Sequence, residues 1–356
     1  MAVRTVLFAI ALHLPSAATA QVFTIDPTLF EADPTAWNSE GVGAPSVVYA
    51  HDKGHFVMLF ETMTGTSDAQ CPDGYWSIGY AWSQDGLNWS VGDGPILEPT
   101  AGSYTGCGMR QPSVLRNGET QVVLFASLQE ADTCASGVIP SWGCTRDSGI
   151  GYAMFSEDWS RGQAGARLRM NSMAQILTPV VEGPGYAEPS LISYNGNLHM
   201  YVDWLGEIKH ATSLDLATWT FDATPVLTPG AHAWSQDSLY SPSAACVPST
   251  TGATMSASGP VIDLVYGGRT WGLSGLTEAG WTNALSPDSS AFLTNAAGAA
   301  FTYSTLDEFI SMDALRDGAT TLIWFEELAA DGRPAIGFAT DGTWMRATIE
   351  DRRCDN

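Results

Sequence analysis

The chain has 356 residues, 45% of them hydrophobic, and sets 38 acidic side chains against 15 basic ones for a net charge of −23. That balance argues against nucleic acid and anionic membrane as partners, because a phosphate-binding surface must be basic; the only lysines are Lys53 and Lys209. Gly and Pro are spread through the chain instead of collecting in a linker, so the length is read as one large repeat domain over 21–356.

Residues 1–20 read as an export signal. Arg4 supplies the positive start, Val6 to Leu14 the apolar stretch, and Ala18-Thr19-Ala20 the small-residue cleavage site before Gln21. No cysteine follows directly, so no lipid anchor is expected, and no later apolar run is long enough to span a bilayer. The mature protein is expected to be secreted or periplasmic, and a monomer. Six cysteines in an exported chain favour disulfides, and the absence of C-x-x-C spacing argues against zinc. The expected pairs are Cys71–Cys107, Cys134–Cys144 and Cys246–Cys354.

Val22 to Phe30 is predicted to be an outer strand that closes a ring, and the repeats follow. Gly43-Ala44-Pro45-Ser46-Val47-Val48-Tyr49 leads into Phe56-Val57-Met58-Leu59-Phe60-Glu61, and Arg110-Gln111-Pro112-Ser113-Val114-Leu115 leads into Val122-Val123-Leu124-Phe125-Ala126-Ser127. The clearest copy is Tyr186-Ala187-Glu188-Pro189-Ser190-Leu191-Ile192-Ser193-Tyr194, which turns at Asn195-Gly196 into Asn197-Leu198-His199-Met200-Tyr201-Val202-Asp203-Trp204. Asn-Gly between two alternating apolar runs is the strongest short-range hairpin signal. Tyr240-Ser241-Pro242-Ser243-Ala244 with Ile262 to Tyr266, and Met312-Asp313-Ala314-Leu315 with Thr321 to Glu326, complete the series. Each hairpin is followed by a second phrase, such as Ser77-Ile78-Gly79-Tyr80-Ala81-Trp82-Ser83 with Trp89, or Ile208-Lys209-His210-Ala211-Thr212-Ser213 with Trp219. The repeats start near 43, 110, 187, 240 and 312, and no sustained helical periodicity appears. Four short strands per repeat define an all-β chain, a five-bladed β-propeller of four-stranded antiparallel blades. Blade four is the poorest match: Trp271 to Phe292 fits no template.

In a propeller the innermost strands start beside the central channel at one face. Reading the five copies at the residue before the repeated proline places Ala44, Gln111, Glu188, Ser241 and Asp313 around the axis. The second strands return to the same mouth with Glu61, Ser127, Asp203, Tyr266 and Glu326.

This register resembles the five-bladed propeller glycosidases, the superfamily of fructosidases, arabinosidases and xylosidases. The resemblance implies an Asp base or nucleophile from blade one, a tuning Asp in blade two often preceded by Arg, and a Glu general acid from blade three. Glu188 matches the acid, and Arg110 matches the arginine. Ala44 and Gln111 stand where the two aspartates would be, so the familiar triad is absent. Two readings stay open. In one, cleavage of a poly- or oligosaccharide is rebuilt on Glu188 with Asp313 or Glu61 as its partner carboxylate. Arg110, Gln111, Asp203, Trp204, Tyr240, Ser241 and Glu326 would then contact substrate. In the other, the propeller binds a glycan without cleaving it. Glycoside cleavage needs one protonated and one ionised carboxyl group, and crowded acids in a recess supply the raised pKa. Each carboxylate has a structural alternative, capping backbone amides in the channel. No cofactor is expected, although an acid cluster at a propeller mouth can hold a structural Ca²⁺ through oxygen ligands. Trp89, Trp159, Trp219 and Trp344 are expected to pack between blades. Trp76, Trp142, Trp204, Trp234 and Trp271 fall at the open face, where a ring can stack on a sugar. Ser83-x-Asp85-Gly86-x-x-Trp89 is similar to the Asp-box of sialidases but lacks its spacing and reads as a turn.

Overall fold

A computed structural model describes residues 24–33, 35–72, 74–128, 149–158, 167–177, 186–230, 235–247, 261–269, 278–284, 293–294, 301–302, 311–317, 320–329, 331–342, 349 and 352–354. The export signal, Cys134, Cys144 and Trp142, Trp159, Trp234, Trp271 and Trp344 lie outside the described residues.

Strands alone make up the regular structure of the described residues. β1 (Thr24–Phe30) opens the chain. β2 (Gly43–Ala50), β3 (His55–Gly65), β4 (Tyr75–Ser83) and β5 (Trp89–Val91) form the first unit. β6 (Gly108–Asn117), β7 (Thr120–Leu128), β8 (Gly149–Asp158) and β9 (Arg167–Leu177) form the second, and β10 (Tyr186–Tyr194), β11 (Asn197–Trp204), β12 (Glu207–Ser213) and β13 (Thr220–Phe221) the third. The fourth holds β14 (Ser238–Val247), β15 (Val261–Arg269) and β16 (Glu278–Ala284), with its outer strand in two pieces, β17 (Leu293–Thr294) and β18 (Phe301–Thr302). β19 (Met312–Asp317), β20 (Thr320–Leu328) and β21 (Pro334–Thr340) form the last, and β1 pairs antiparallel with β21 as its outer strand. The N-terminal strand therefore closes the ring, as the sequence predicts.

The innermost strands β2, β6, β10, β14 and β19 each pack on the next, and β19 packs back on β2. These are the blades of a β-propeller. Apolar clusters fill the spaces between neighbouring blades. Phe56, Trp324 and Phe338 join blades five and one, with Trp89 packed against them. Leu191, Met200 and Val202 of blade three meet Leu115, Leu124 and Ile150 of blade two, with Trp219 alongside. Each such side chain contributes about 1.5–3 kcal/mol on burial. The Asn195-Gly196 turn has φ of 50° and 76°, the positive pair that matches the twist of a two-residue hairpin. Disulfides join Cys71 to Cys107 and Cys246 to Cys354, as expected.

The repeated proline marks a bulge. Pairing between the first two strands slips between Gly43 and Ser46, Arg110 and Ser113, Ala187 and Ser190, and Tyr240 and Ser243. The residue before each proline is left-handed, with φ of 41° at Ala44, 53° at Gln111, 52° at Glu188 and 49° at Ser241. Blade five has Met312 where the others have proline, and its register runs without a slip. Two residues past each bulge position is a serine, and these serines form an inter-blade ring. Ser46 Oγ accepts the Val114 N–H at 3.0 Å, Ser113 Oγ that of Leu191 at 2.9 Å, Ser190 Oγ that of Ala244 at 2.9 Å, and Ser243 Oγ that of Ala314 at 2.8 Å. Asp313 is the fifth member, its Oδ2 accepting the Val47 N–H at 2.6 Å. Ser190→Ala strands a buried N–H without an acceptor and is expected to lower stability by about 1–3 kcal/mol in urea denaturation. An unchanged midpoint would show that the ring is not a stabilising element.

The C-terminal segment closes the far end of the channel. The Ile349 carbonyl accepts from His51 of blade one, and Ile349 bridges Asp317 of blade five. Arg353 Nη1 donates to Asn117 of blade two, the Cys354 N–H donates to Ser193 of blade three, and Cys354 is bonded to Cys246 of blade four. Arg352, 1% exposed, points up the axis and donates to Asp313 Oδ1 and, at 3.4 Å, to Ser113 Oγ.

Candidate active site

The opposite end of the channel is built on the bulges. In blades one to four the left-handed residue turns its N–H toward a neighbouring blade, in blade five Met312 supplies the N–H without a bulge, and each of these N–H groups finds a side chain there. Ala44 donates to Glu326 Oε2 at 2.8 Å, Gln111 to Glu61 Oε2 at 2.8 Å, and Glu188 to Gln111 Oε1 at 3.2 Å. Ser241 donates to Glu188 Oε2, and Met312 to Ser241 Oγ at 2.8 Å. This second ring lies above the serine ring. Between them is a cavity of ≈ 20 Å³, room for about one water, lined by Gln111, Glu188, Ser241 and Ser311 on one side and Ser113, Ser190 and Asp313 on the other.

Where blades two, three and four carry Gln111, Glu188 and Ser241, blades one and five carry only Ala44 and Ser311. There the clasp comes from the end of the second strand: Glu61 pairs across from Gly43, and the Glu326 N–H donates to the Ser311 carbonyl at 2.8 Å. A Cβ at Gly43 would collide with the Glu326 carboxylate, so glycine is what lets Glu326 reach Ala44. Arg110 grips Glu61 Oε1 through Nε at 3.1 Å and Nη2 at 2.5 Å, and its guanidinium stacks 4.0 Å from the Trp76 ring centroid. Burial works against the Arg110 charge, but Glu61, then Glu326 and Glu188, raise its pKa above the ordinary value.

Asp203, on β11 opposite Ala187, completes the group. Its Oδ1 accepts the Gly206 N–H at 3.1 Å, and its Oδ2 has no protein partner among the described residues. Burial pushes the Asp203 carboxyl up to about 7 against the pull of that N–H. Glu188 is raised well above the ordinary carboxylate value, first by burial and then by the charge of Asp203. The Ser241 N–H opposes the rise, and Glu61 and Glu326 add to it. Glu188 Oε1 also accepts from Gln111 Nε2 at 3.4 Å. The charges of the two carboxyls of blade three thus oppose one another, and burial and mutual repulsion both favour the protonated form of the pair.

Glu188, Glu61, Arg110, Gln111, Asp203, Ser241 and Glu326 come together at this mouth. Asp313 does not. The sequence reading of blade five is off by one layer: Met312 supplies the N–H that Glu188 supplies in blade three, and Asp313 lies one layer down, bonded to Val47, Ser243 and Arg352. The missing bulge in blade five accounts for the slip. Ser127 and Tyr266 are each off by one. The residues level with Glu61 and Asp203 are Ala126 and Gly267, while Ser127 donates to the Gly149 carbonyl and Tyr266 is buried among apolar side chains. Tyr240 lies across Gly267, where any Cβ would meet its ring. Trp204 does not join the acid cluster; it flanks the mouth on the blade-two side and stacks on Tyr186 at 6.4 Å. Arg352 is absent from the sequence-level site; its one signal is adjacency to Cys354, whose pairing brings it to the channel. The acid cluster is taken up by Arg110 and backbone N–H groups, and no group of three metal-binding side chains stands together among the described residues.

No family model matches the chain, and no curated protein is similar to it in sequence. Solved structures share its fold. A glycosyl hydrolase from Bacteroides ovatus matches with a TM-score of 0.58 at 14% identity over 88% of this chain and 94% of that one. A structure from the GH130 family of mannoside phosphorylases, which contains glycoside hydrolases that target beta-1,2 mannosidic linkages in Candida mannan, matches with a TM-score of 0.60 at 14% identity over 91% and 95%. Trypanosoma rangeli sialidase matches with a TM-score of 0.51 at 13% identity over 89% of this chain and 59% of that one. The chain has the β-propeller fold found among glycoside hydrolases.

Proposed function

We infer that this protein is an exported carbohydrate-active enzyme that hydrolyses glycosidic bonds at the channel mouth. The observation that carries the reading is the coupled carboxyl pair, Glu188 and Asp203, in a recess ringed by Glu61, Glu326 and Arg110. Departure of a sugar's leaving group requires a protonated acid at neutral pH, and the pair supplies one. Asp203 offers its unbonded Oδ2 to the mouth and delivers the proton to the glycosidic oxygen; Glu188 stands behind it and shares that proton. The second carboxyl group of the reading is Glu326, which reaches the same mouth with its Oε2 on the Ala44 N–H. Glu61 has both oxygens engaged by Arg110 and Gln111 and serves to hold the mouth in shape. Two disulfides fit the oxidising compartment that export implies.

A product assay on plant, algal and microbial glycans tests this, with wild type, Glu188→Gln and Asp203→Asn in parallel. Either substitution should lower kcat about 10²–10⁴-fold with folding intact. In wild type, kcat/KM should fall as pH rises through about 7, because the acid must be protonated and Asp203 loses its proton there. Full activity in both variants removes the reading. Glu188 has both oxygens bonded, to Gln111 and Ser241, which favours a second reading as a glycan receptor; binding without product from wild type would establish it.

A further inference from the structure

We propose that the flank of the mouth formed by Trp204 and Lys209 is a subsite for an anionic group on a sugar, a carboxylate or a sulfate. Successive strand residues face opposite ways, so Asp203 looks into the mouth and Trp204 toward blade two. There Trp204 stacks on Tyr186, which stacks in turn on Phe221 at 5.3 Å. Lys209, half-buried and paired across from Val202, sets its Nζ 3.3 Å from the Trp204 ring centroid, well within cation–π range. Two donors on this column lack an acceptor. Lys209 has no carboxylate partner among the described residues, in a chain with 38 acidic side chains. The Trp204 Nε1 is buried without a hydrogen-bond partner, although a buried indole N–H ordinarily has one.

The comparison within the molecule is Arg110, which stacks on Trp76 in the same manner but gives its charge to Glu61. Lys209 gives its charge to nothing described. An ammonium and an N–H that share one aromatic platform call for an acceptor that is itself negative. Tyr186 and Lys209 cover the indole faces, so a sugar approaches at the ring edge, where an acidic substituent meets the ammonium, and the site begins one residue from Asp203. The chain's net charge of −23 opposes an anionic ligand at long range, but salt screens that field beyond about 8 Å, so the local ammonium decides.

The inference takes its sugar from the reading of the mouth as glycan-active, and binding tests it without turnover. Calorimetry on Glu188→Gln, with and without Lys209→Met, would use three probes: a galacturonate trisaccharide, the matching galactose trisaccharide and a sulfated galactose trisaccharide. One acidic probe should bind at least about tenfold tighter than the neutral one, the worth of one charge-assisted hydrogen bond. Lys209→Met should remove that preference and leave neutral affinity unchanged, and Trp204→Phe, which keeps the ring and loses the N–H, should reduce it. Which acid is preferred separates carboxylate from sulfate. No binding of either acid, or a preference that survives Lys209→Met, overturns the subsite. Hydrolysis of neutral glycans could still be seen in wild type, so the two failures are distinct.

Discussion

Asp203→Asn is expected to make the protein more stable at pH 8 while removing its activity. Asp203 has an ordinary pKa of 3.8 and stands near 7 when folded. Across that window the folded state holds a proton that the unfolded chain has lost, so stability falls as pH rises from about 4 and levels off above about 7. Each pKa unit is about 1.4 kcal/mol. Allowing for partial access of water to the side chain, the gain in the variant is on the order of 2–4 kcal/mol at pH 8 and near zero at pH 4. Part of it comes through Glu188, which no longer faces a second charge. Urea denaturation at the two pH values measures it. A structural Asp203 would predict loss at both, so equal or lower stability at pH 8 would contradict the assignment.

The second large effect lies at the other end of the channel. Arg352→Met leaves the Asp313 carboxylate buried with its charge uncompensated, and a loss of about 3–5 kcal/mol is expected. Burial already lifts the Asp313 pKa, and Arg352 is the main influence holding it down. Asp313→Ser alone strands the Arg352 guanidinium, whose Nε has no partner even in the native chain, and should be similarly damaging. The two together should recover most of the loss, because serine at 313 completes a ring whose other members are Ser46, Ser113, Ser190 and Ser243. A double-mutant cycle at neutral pH would show this coupling. Strict additivity would mean that Arg352 and Asp313 stabilise the fold independently.

The blade pattern was legible because each blade repeats the same local chemistry: an apolar strand, a proline, a tight turn and an apolar return. Glu188 could be placed at the mouth from Pro189 alone. Asp313 could not be placed correctly, since Met312 replaces the marker and the bulge it signals is missing. Ser127 and Tyr266 miss the level by one residue in opposite directions, because no carboxylate or turn marks where the second strand of blades two and four reaches the mouth. The repeat register points around the five-fold ring for a carboxyl near Glu188, whereas Asp203 approaches it across a hairpin within one blade. The Pro-Ser repeat was visible, yet nothing in a serine announces that its oxygen will hold the next blade's N–H. Arg352 lay furthest from view, because its role depends on a chain end crossing all five blades.

The glycosidase reading depends on a proton kept at the mouth at neutral pH. Carbon-13 NMR of the side-chain carboxyls, followed from pH 3 to 9 in wild type and Asp203→Asn, tests it with no substrate required. A carboxyl titrating near 7 is expected in wild type and should be lost in Asp203→Asn, with the Glu188 transition moved to lower pH. Carboxyls that all titrate below about 5 would leave the mouth fully ionised, with no acid to drive glycoside cleavage.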